Sequence, residues 1–241
     1  MNSSRIISFA EYVYLEESRI EVSPLTHRNR KASDYETEIA RKIHGSGWGA
    51  DEPTATAAGF DPNMPDYRIR DVDGNHHNLE IKSGHSSMFG QIALEQHPEH
   101  GWVVSSDTKK KKPNTSAYIE RSGILHRLNH EWGPLPEGAP RKDINHDAPN
   151  GAEGVNLHYG SDKHTPYIHI KDHGMFHTSN DSANLGTPQL SGNFSLRARH
   201  KKIRTNADGT HKYVTLINFH VKKQHLPRSP LSLDADIPAA K

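Results

Sequence analysis

Beyond residue 154 the apolar residues of this chain return at every second position, and that period restricts the C-terminal part to strands. "PYIHIKD", "GNFSLRARHKKI" and "KYVTLINFHVKK" each alternate in this way, as a half-buried strand must when successive side chains leave on opposite faces. "NADG" between the last two has the letters of a hairpin turn. Residues 133–154 are rich in Pro, Gly and Asp and read as a connection.

Upstream of it the pattern is helical. In "SDYETEIARKIHGSGWG", Ser33 or Asp34 can cap, Ile39 and Ile43 share a face, and Gly45 and Gly47 end the segment. "SSMFGQIALEQH" reads as a second helix with Ser86 or Ser87 as cap, and "GWVVSS" as a short buried strand. A loop of four lysines, residues 109–112, follows. "TSAYIERSGILHRLNHEW" is helical again, interrupted by Gly123. The expected organisation is a lead-in over 1–30, a core over 31–132, the connection, and a β-rich basic region over 155–226 that packs on the core. A flexible tail over 227–241 completes the chain.

Between the first two helices lies "PDYRIRDVDGNHHNLEIKSG", with the letters of a β-hairpin. Glu80 and Lys82 are two apart, so both leave one face of the second strand while Ile81 enters a core. Register decides whether Asp66 joins them. A two-residue turn at Asp73-Gly74 pairs position 66 with 81, on the wrong face; a three-residue loop pairs it with 82, and the groups converge. Carboxylates suit a hard divalent cation such as Mg²⁺, which acidifies a bound water and offsets charge on a phosphate. A lysine at the same edge can hold the attacking water and developing charge. The bland alternative is an ordinary polar hairpin.

Pro65-Asp66 followed by Glu80-Ile81-Lys82 resembles the PD-(D/E)xK nuclease superfamily, over roughly residues 33–106. The resemblance implies a restriction-endonuclease-like α/β fold, a mixed sheet flanked by helices. It implies metal ligation by Asp66 and Glu80, and Lys82 as the residue that positions or activates water. The helix ahead of the hairpin often supplies another acid in that superfamily. Glu36 lies within about 60° of Ile39 and Ile43 on a helical wheel, whereas Glu38 points nearly opposite, so Glu36 is favoured. A polar residue, often Gln, follows on the next helix, and Gln91 matches. The implied cofactor is Mg²⁺, with Mn²⁺ as a substitute.

Overall charge is close to zero, +1 at pH 7, but it is unevenly spread. Residues 191–230 hold nine Lys or Arg against the single acid Asp208. Arg197, Arg199 and Lys201 line one strand face, Lys202 and Arg204 follow, and Lys110 and Lys111 sit in the lysine loop. Such a basic surface suits DNA phosphates; its plain reading is a solvated strand face. His158, His164, His169, His173 and His177 fall close together, and the spacing of four from His169 to His177 would put two on one face of a helix, as zinc sites often need, but a strand is expected there and Gly174 breaks the pattern. His76, His77 and His85 flank the hairpin and could reach phosphate, or simply face solvent.

The chain has no cysteine, which excludes disulfides and thiolate metal sites. It shows no apolar run of membrane length and no secretion signal, so a cytoplasmic protein without a membrane partner is expected. No phosphate-binding glycine loop, nucleophile elbow or dinucleotide fingerprint is present, which disfavours a nucleotide cofactor. The expected function is a Mg²⁺-dependent DNA endonuclease, with restriction-like, junction-resolving and processing roles open and a homodimer allowed. The alternative is a non-catalytic DNA-binding or structural protein on the same fold.

Overall fold

The structure is a computed structural model in which residues 27–49, 65–84, 88–136, 138–148, 150–205, 209, 211–221 and 226–234 are described, with side chains from Asp34 onward except that of Arg204. The expectations for the lead-in, the loop ahead of the hairpin, Ser86, Ser87, His85, most of the "NADG" turn, the Arg204 side chain and the end of the tail lie outside those residues. In chain order the elements are α1 (His27–Gly45), β1 (Tyr67–Arg70), β2 (His76–Lys82), β3 (Met88–His97), β4 (Gly101–Val104), α2 (Ser106–Lys111), α3 (Pro113–Arg121) and α4 (Ile124–Glu131). Then come β5 (Lys142–Asp147), α5 (Gly151–Asn156), a π-helix (Leu157–Asp162), β6 (Tyr167–Ile170), β7 (Gly174–His177), β8 (Phe194–Thr205) and β9 (His211–Val221). The protein is therefore mixed α/β.

Two compact units share the chain, each assembled from separated segments: 1–87, 159–190 and 227–241 form the first, 88–158 and 191–226 the second. This division cuts across the contiguous core and C-terminal region expected from sequence. The first unit holds a mixed sheet in the order β1-β2-β6-β7. β1 and β2 are antiparallel, β2 and β6 parallel, β6 and β7 antiparallel. A parallel neighbour requires a crossover, and here the whole segment 88–158 falls within it.

Alternation explains how this sheet is covered. Tyr67 and Ile69 of β1 and Leu79 and Ile81 of β2 are buried, while Arg68 and Arg70 face outward. Tyr35, Ile39 and Ile43 recur at helical spacing on α1 and close one core with these residues, together with Tyr167 and Met175. α1 starts at His27, so Ser33 and Asp34 lie inside it rather than capping it. The expected tail is packed in part: Leu233 is buried in this core and the Leu231 carbonyl accepts the Met175 N–H at 2.8 Å.

The second unit is an antiparallel sheet in the order β4-β3-β9-β8-β5 with α2 to α5. "SSMFGQIALEQH" was expected to be helical; residues 88–97 are instead β3, bonded to β4 on one side and β9 on the other. A short apolar run satisfies either period, and ladders on both edges meet its backbone groups as a helix would. Gly90, at φ 63° beside an irregularity in the β3–β9 register, also departs from helix. The lysine loop is ordered too: residues 109–111 end α2, capped by Ser105, whose Oγ accepts the Thr108 N–H. Gly123, left-handed at φ 84°, separates α3 from α4. Among the described residues no helix is long and apolar enough to cross a membrane.

Candidate active site

The β1–β2 connection sets the site's register. It is longer than either turn considered from sequence, spanning residues 71–75, and Asp71 organises it. One Asp71 carboxylate oxygen accepts the Asp73 and Asn75 N–H groups at 3.0 and 2.8 Å, the other contacts His77 Nε2 at 2.8 Å. Gly74, at φ 85°, provides the left-handed step. Tyr67 therefore stands opposite Leu79 and Arg70 opposite His76. Continued one residue back, the ladder sets Asp66 opposite Glu80, not 81 or 82. The offset from the three-residue expectation is two residues, so facing is preserved and Asp66 shares a face with Glu80 and Lys82. Its Oδ2 accepts the Ile81 N–H at 2.7 Å.

Glu80 is buried and held from both sides. Lys82 Nζ donates to Oε1, and Lys163 Nζ donates to Oε2 at 2.7 Å. The side chains of Lys82, Lys163 and Glu80 are 16, 13 and 6 % exposed, so these are largely desolvated ion pairs. Both ammonium groups also lie 5.7 Å from the centre of the Tyr159 ring. Sequence reasoning missed Lys163 and Tyr159. Neither stands in a recognisable pattern, and only the parallel β2–β6 pairing brings their segment beside the hairpin.

Burial alone would raise the Glu80 pKa, but the charges of Lys82 and Lys163 hold it well below the usual carboxylate range. Burial alone would lower that of Lys82; Glu80 above all, with Tyr159 and Asp66, keeps it well above 10.5. Lys82 is therefore a fixed cation and donor, not a base. Asp66 and Glu36 go the other way. Burial and the charge of Glu80 lift Asp66 to about 6, against the pull of the two lysines and the Ile81 N–H. Burial and the charge of Asp66 lift Glu36 to about 7. Of the two helix acids, then, Glu36 is electrostatically part of the cluster, while Glu38 pairs with Lys42 at 3.1 Å.

Three carboxylates without sulfur or imidazole form a hard-oxygen donor set suited to Mg²⁺ or Mn²⁺. A cation would also relieve the repulsion that raises Asp66 and Glu36. The oxygens of Glu36, Asp66 and Glu80 do not, however, all lie within 4.8 Å of one another; among the described residues that proximity occurs at exposed His97, Glu99 and His100. That trio closes the β3–β4 hairpin, with the two imidazoles stacked at 4.6 Å, and could hold a metal.

The remaining candidates lie elsewhere. Gln91 is on β3 of the second unit, and its carbonyl accepts from Lys112 Nζ at 3.0 Å. It is not on a helix following the lysine strand. Arg197, Arg199 and Lys201 do alternate on β8, but Asp143 Oδ1 lies 3.2 Å from both arginine Nε atoms, so the row is partly neutralised. Lys202 is exposed, as are Lys110 and Lys111 on α2, where Lys111 pairs with Asp107. His169 sits in a strand, buried, with Tyr35 Oη 3.3 Å from Nδ1.

No protein-family model matches this chain, no curated protein matches it, and no solved structure matches it.

Proposed function

We propose that the first unit is a Mg²⁺-dependent nuclease of restriction-endonuclease-like fold that hydrolyses phosphodiester bonds, with DNA as the expected substrate. One observation carries this reading: Asp66, Glu80 and Lys82, fourteen and two residues apart, meet on one face at the end of β2, with Glu36 electrostatically coupled to them. Asp66 and Glu80 would hold the cation, with Glu36 adjoining. Once bound, it would supply an acidified water and charge neutralisation at the phosphate.

The protein's own groups do the rest. Asp66 is oriented by the Ile81 N–H. Lys82, permanently charged, donates to the attacking water or to a phosphate oxygen and stabilises charge that grows in the transition state. Glu36, raised toward neutrality, would be the group to take a proton from water. Considered by itself, the second unit carries Arg197, Arg199, Lys201 and Lys202 on β8, a basic row of the kind that contacts a phosphate backbone.

A second reading is a DNA-binding protein that keeps this arrangement without cutting. It is favoured by Glu80, both of whose oxygens are engaged by lysines. Plasmid, linear, branched and single-stranded DNA incubated with and without Mg²⁺ or Mn²⁺ separates the two. The nuclease reading expects metal-dependent cleavage by the wild type and loss of it in Asp66→Ala and Lys82→Ala. Equal behaviour of all three proteins sinks it.

A further inference from the structure

Lys163 has no counterpart in the hairpin motif, yet the structure invests heavily in its placement. A π-helix, a rare form often found at functional sites, leads directly into it. His164, immediately after, is left-handed at φ 51°, an unfavourable conformation for a residue with a side chain. The strain is held in place: the His164 carbonyl accepts Asn78 Nδ2 at 2.9 Å, and the Thr165 N–H reaches the Tyr159 carbonyl at 2.7 Å. The result is an ammonium group aimed at the outer oxygen of a carboxylate that already has one lysine.

We propose that Lys163 is a second phosphate-binding cation of this site, held by Glu80 in the free protein and passed to a non-bridging oxygen of the substrate phosphodiester when a divalent cation takes its place on Glu80. The inference rests on the nuclease reading. Charge balance supports it. A divalent cation favours the ionised forms of Asp66 and Glu36, and in that loaded state three carboxylates, two ammonium groups, the cation and one phosphodiester sum to zero. With Lys82 alone the loaded site would carry an uncompensated negative charge just where a further one develops. The Tyr159 ring, equidistant from both ammonium groups, offers Lys163 a resting surface while it changes partners.

The test is fluorescence anisotropy with labelled duplex, branched and single-stranded DNA in Ca²⁺, over a range of salt. Full-length wild type, Lys163→Ala, Lys163→Gln and Lys163→Arg are compared, with melting temperature measured for each. Lys163→Ala and Lys163→Gln should weaken binding to the preferred DNA about tenfold and flatten the log K against log salt slope by about one, while Lys163→Arg restores both. Should the Ala variant not fold, the Gln and Arg pair decides. Wild-type affinity and slope in Lys163→Gln, with only its melting temperature lowered, overturns the inference and leaves the nuclease reading standing. A wild type that binds none of the three DNAs overturns both.

Discussion

Asp66 Oδ2 accepts the backbone N–H of Ile81 at 2.7 Å, just beyond the Tyr67–Leu79 pair that ends the β1–β2 ladder. The bond gives the carboxylate a main-chain anchor. Asp66→Asn retains an oxygen that can accept this N–H but loses charge. Its far-UV circular dichroism should match wild type while metal-dependent cleavage falls at least about a hundredfold, the scale of losing one preorganised charged group. Cleavage within a few-fold of wild type would show that Asp66 does not hold the cation.

Glu36 makes the pH dependence testable. Its folded-state pKa, about 7, lies above its ordinary value of 4.5. A carboxyl raised in this way contributes full stability below its unfolded pKa and loses it as pH climbs through the folded value, because the folded state holds the proton longer. Glu36→Gln should therefore melt close to wild type at pH 4 and above it at pH 8, by roughly 1–3 kcal/mol. The gap should open between about pH 4.5 and 7. A constant difference across the pH series would remove Glu36 from the cluster.

Divalent metal should act on the same balance. Mn²⁺ or Mg²⁺ binding only the folded protein raises the melting temperature with concentration, and more at pH 8 than at pH 6, since protons compete for Asp66 and Glu36. The Asp66→Asn variant should show little of this shift in differential scanning fluorimetry. An equal shift in both proteins places the metal elsewhere, with His97, Glu99 and His100 as the next site to mutate.

Ile81 separates structure from chemistry. It is 1 % exposed and lies between the two functional residues of β2. Ile81→Ala should cost about 2–4 kcal/mol of stability in denaturant unfolding, yet its folded fraction, assayed well below the melting temperature, should cleave at near wild-type rate.

Acid should loosen the C-terminal segment. Tyr35 Oη donates to Asp234 Oδ1 at 2.5 Å, Asp172 N–H to Oδ2 at 2.8 Å, and Leu233 N–H to His169 Nε2 at 3.2 Å. Burial depresses His169 to about 4. The unfolded chain takes up this proton first, so stability is lost as pH falls from about 6.5 to 4. Asp234→Asn should lower the midpoint of unfolding, measured at neutral pH by tyrosine and tryptophan fluorescence.

Residue order alone determined a good deal. Asp66 and Glu36 are drawn in by the resemblance to the PD-(D/E)xK superfamily, whereas the α1 stripe, the strands β4, β6, β8 and β9, the break at Gly123, and the shared face of Glu80 and Lys82 follow from local periodicity and spacing. Those quantities are written into consecutive residues, because a helix or strand repeats its own geometry. Tertiary structure decided the rest. β3 is a strand because its hairpin neighbour β4 and the distant β9 satisfy its backbone, although its letters also permit a helix. The hairpin register came from Asp71 gathering N–H groups in its own loop, which a count of turn residues overlooks. Lys163 reached Glu80 across 83 positions only because β2 accepts β6 as a parallel neighbour. Charge on a buried carboxylate is likewise a sum over everything folded around it, and no single stretch of sequence contains that sum.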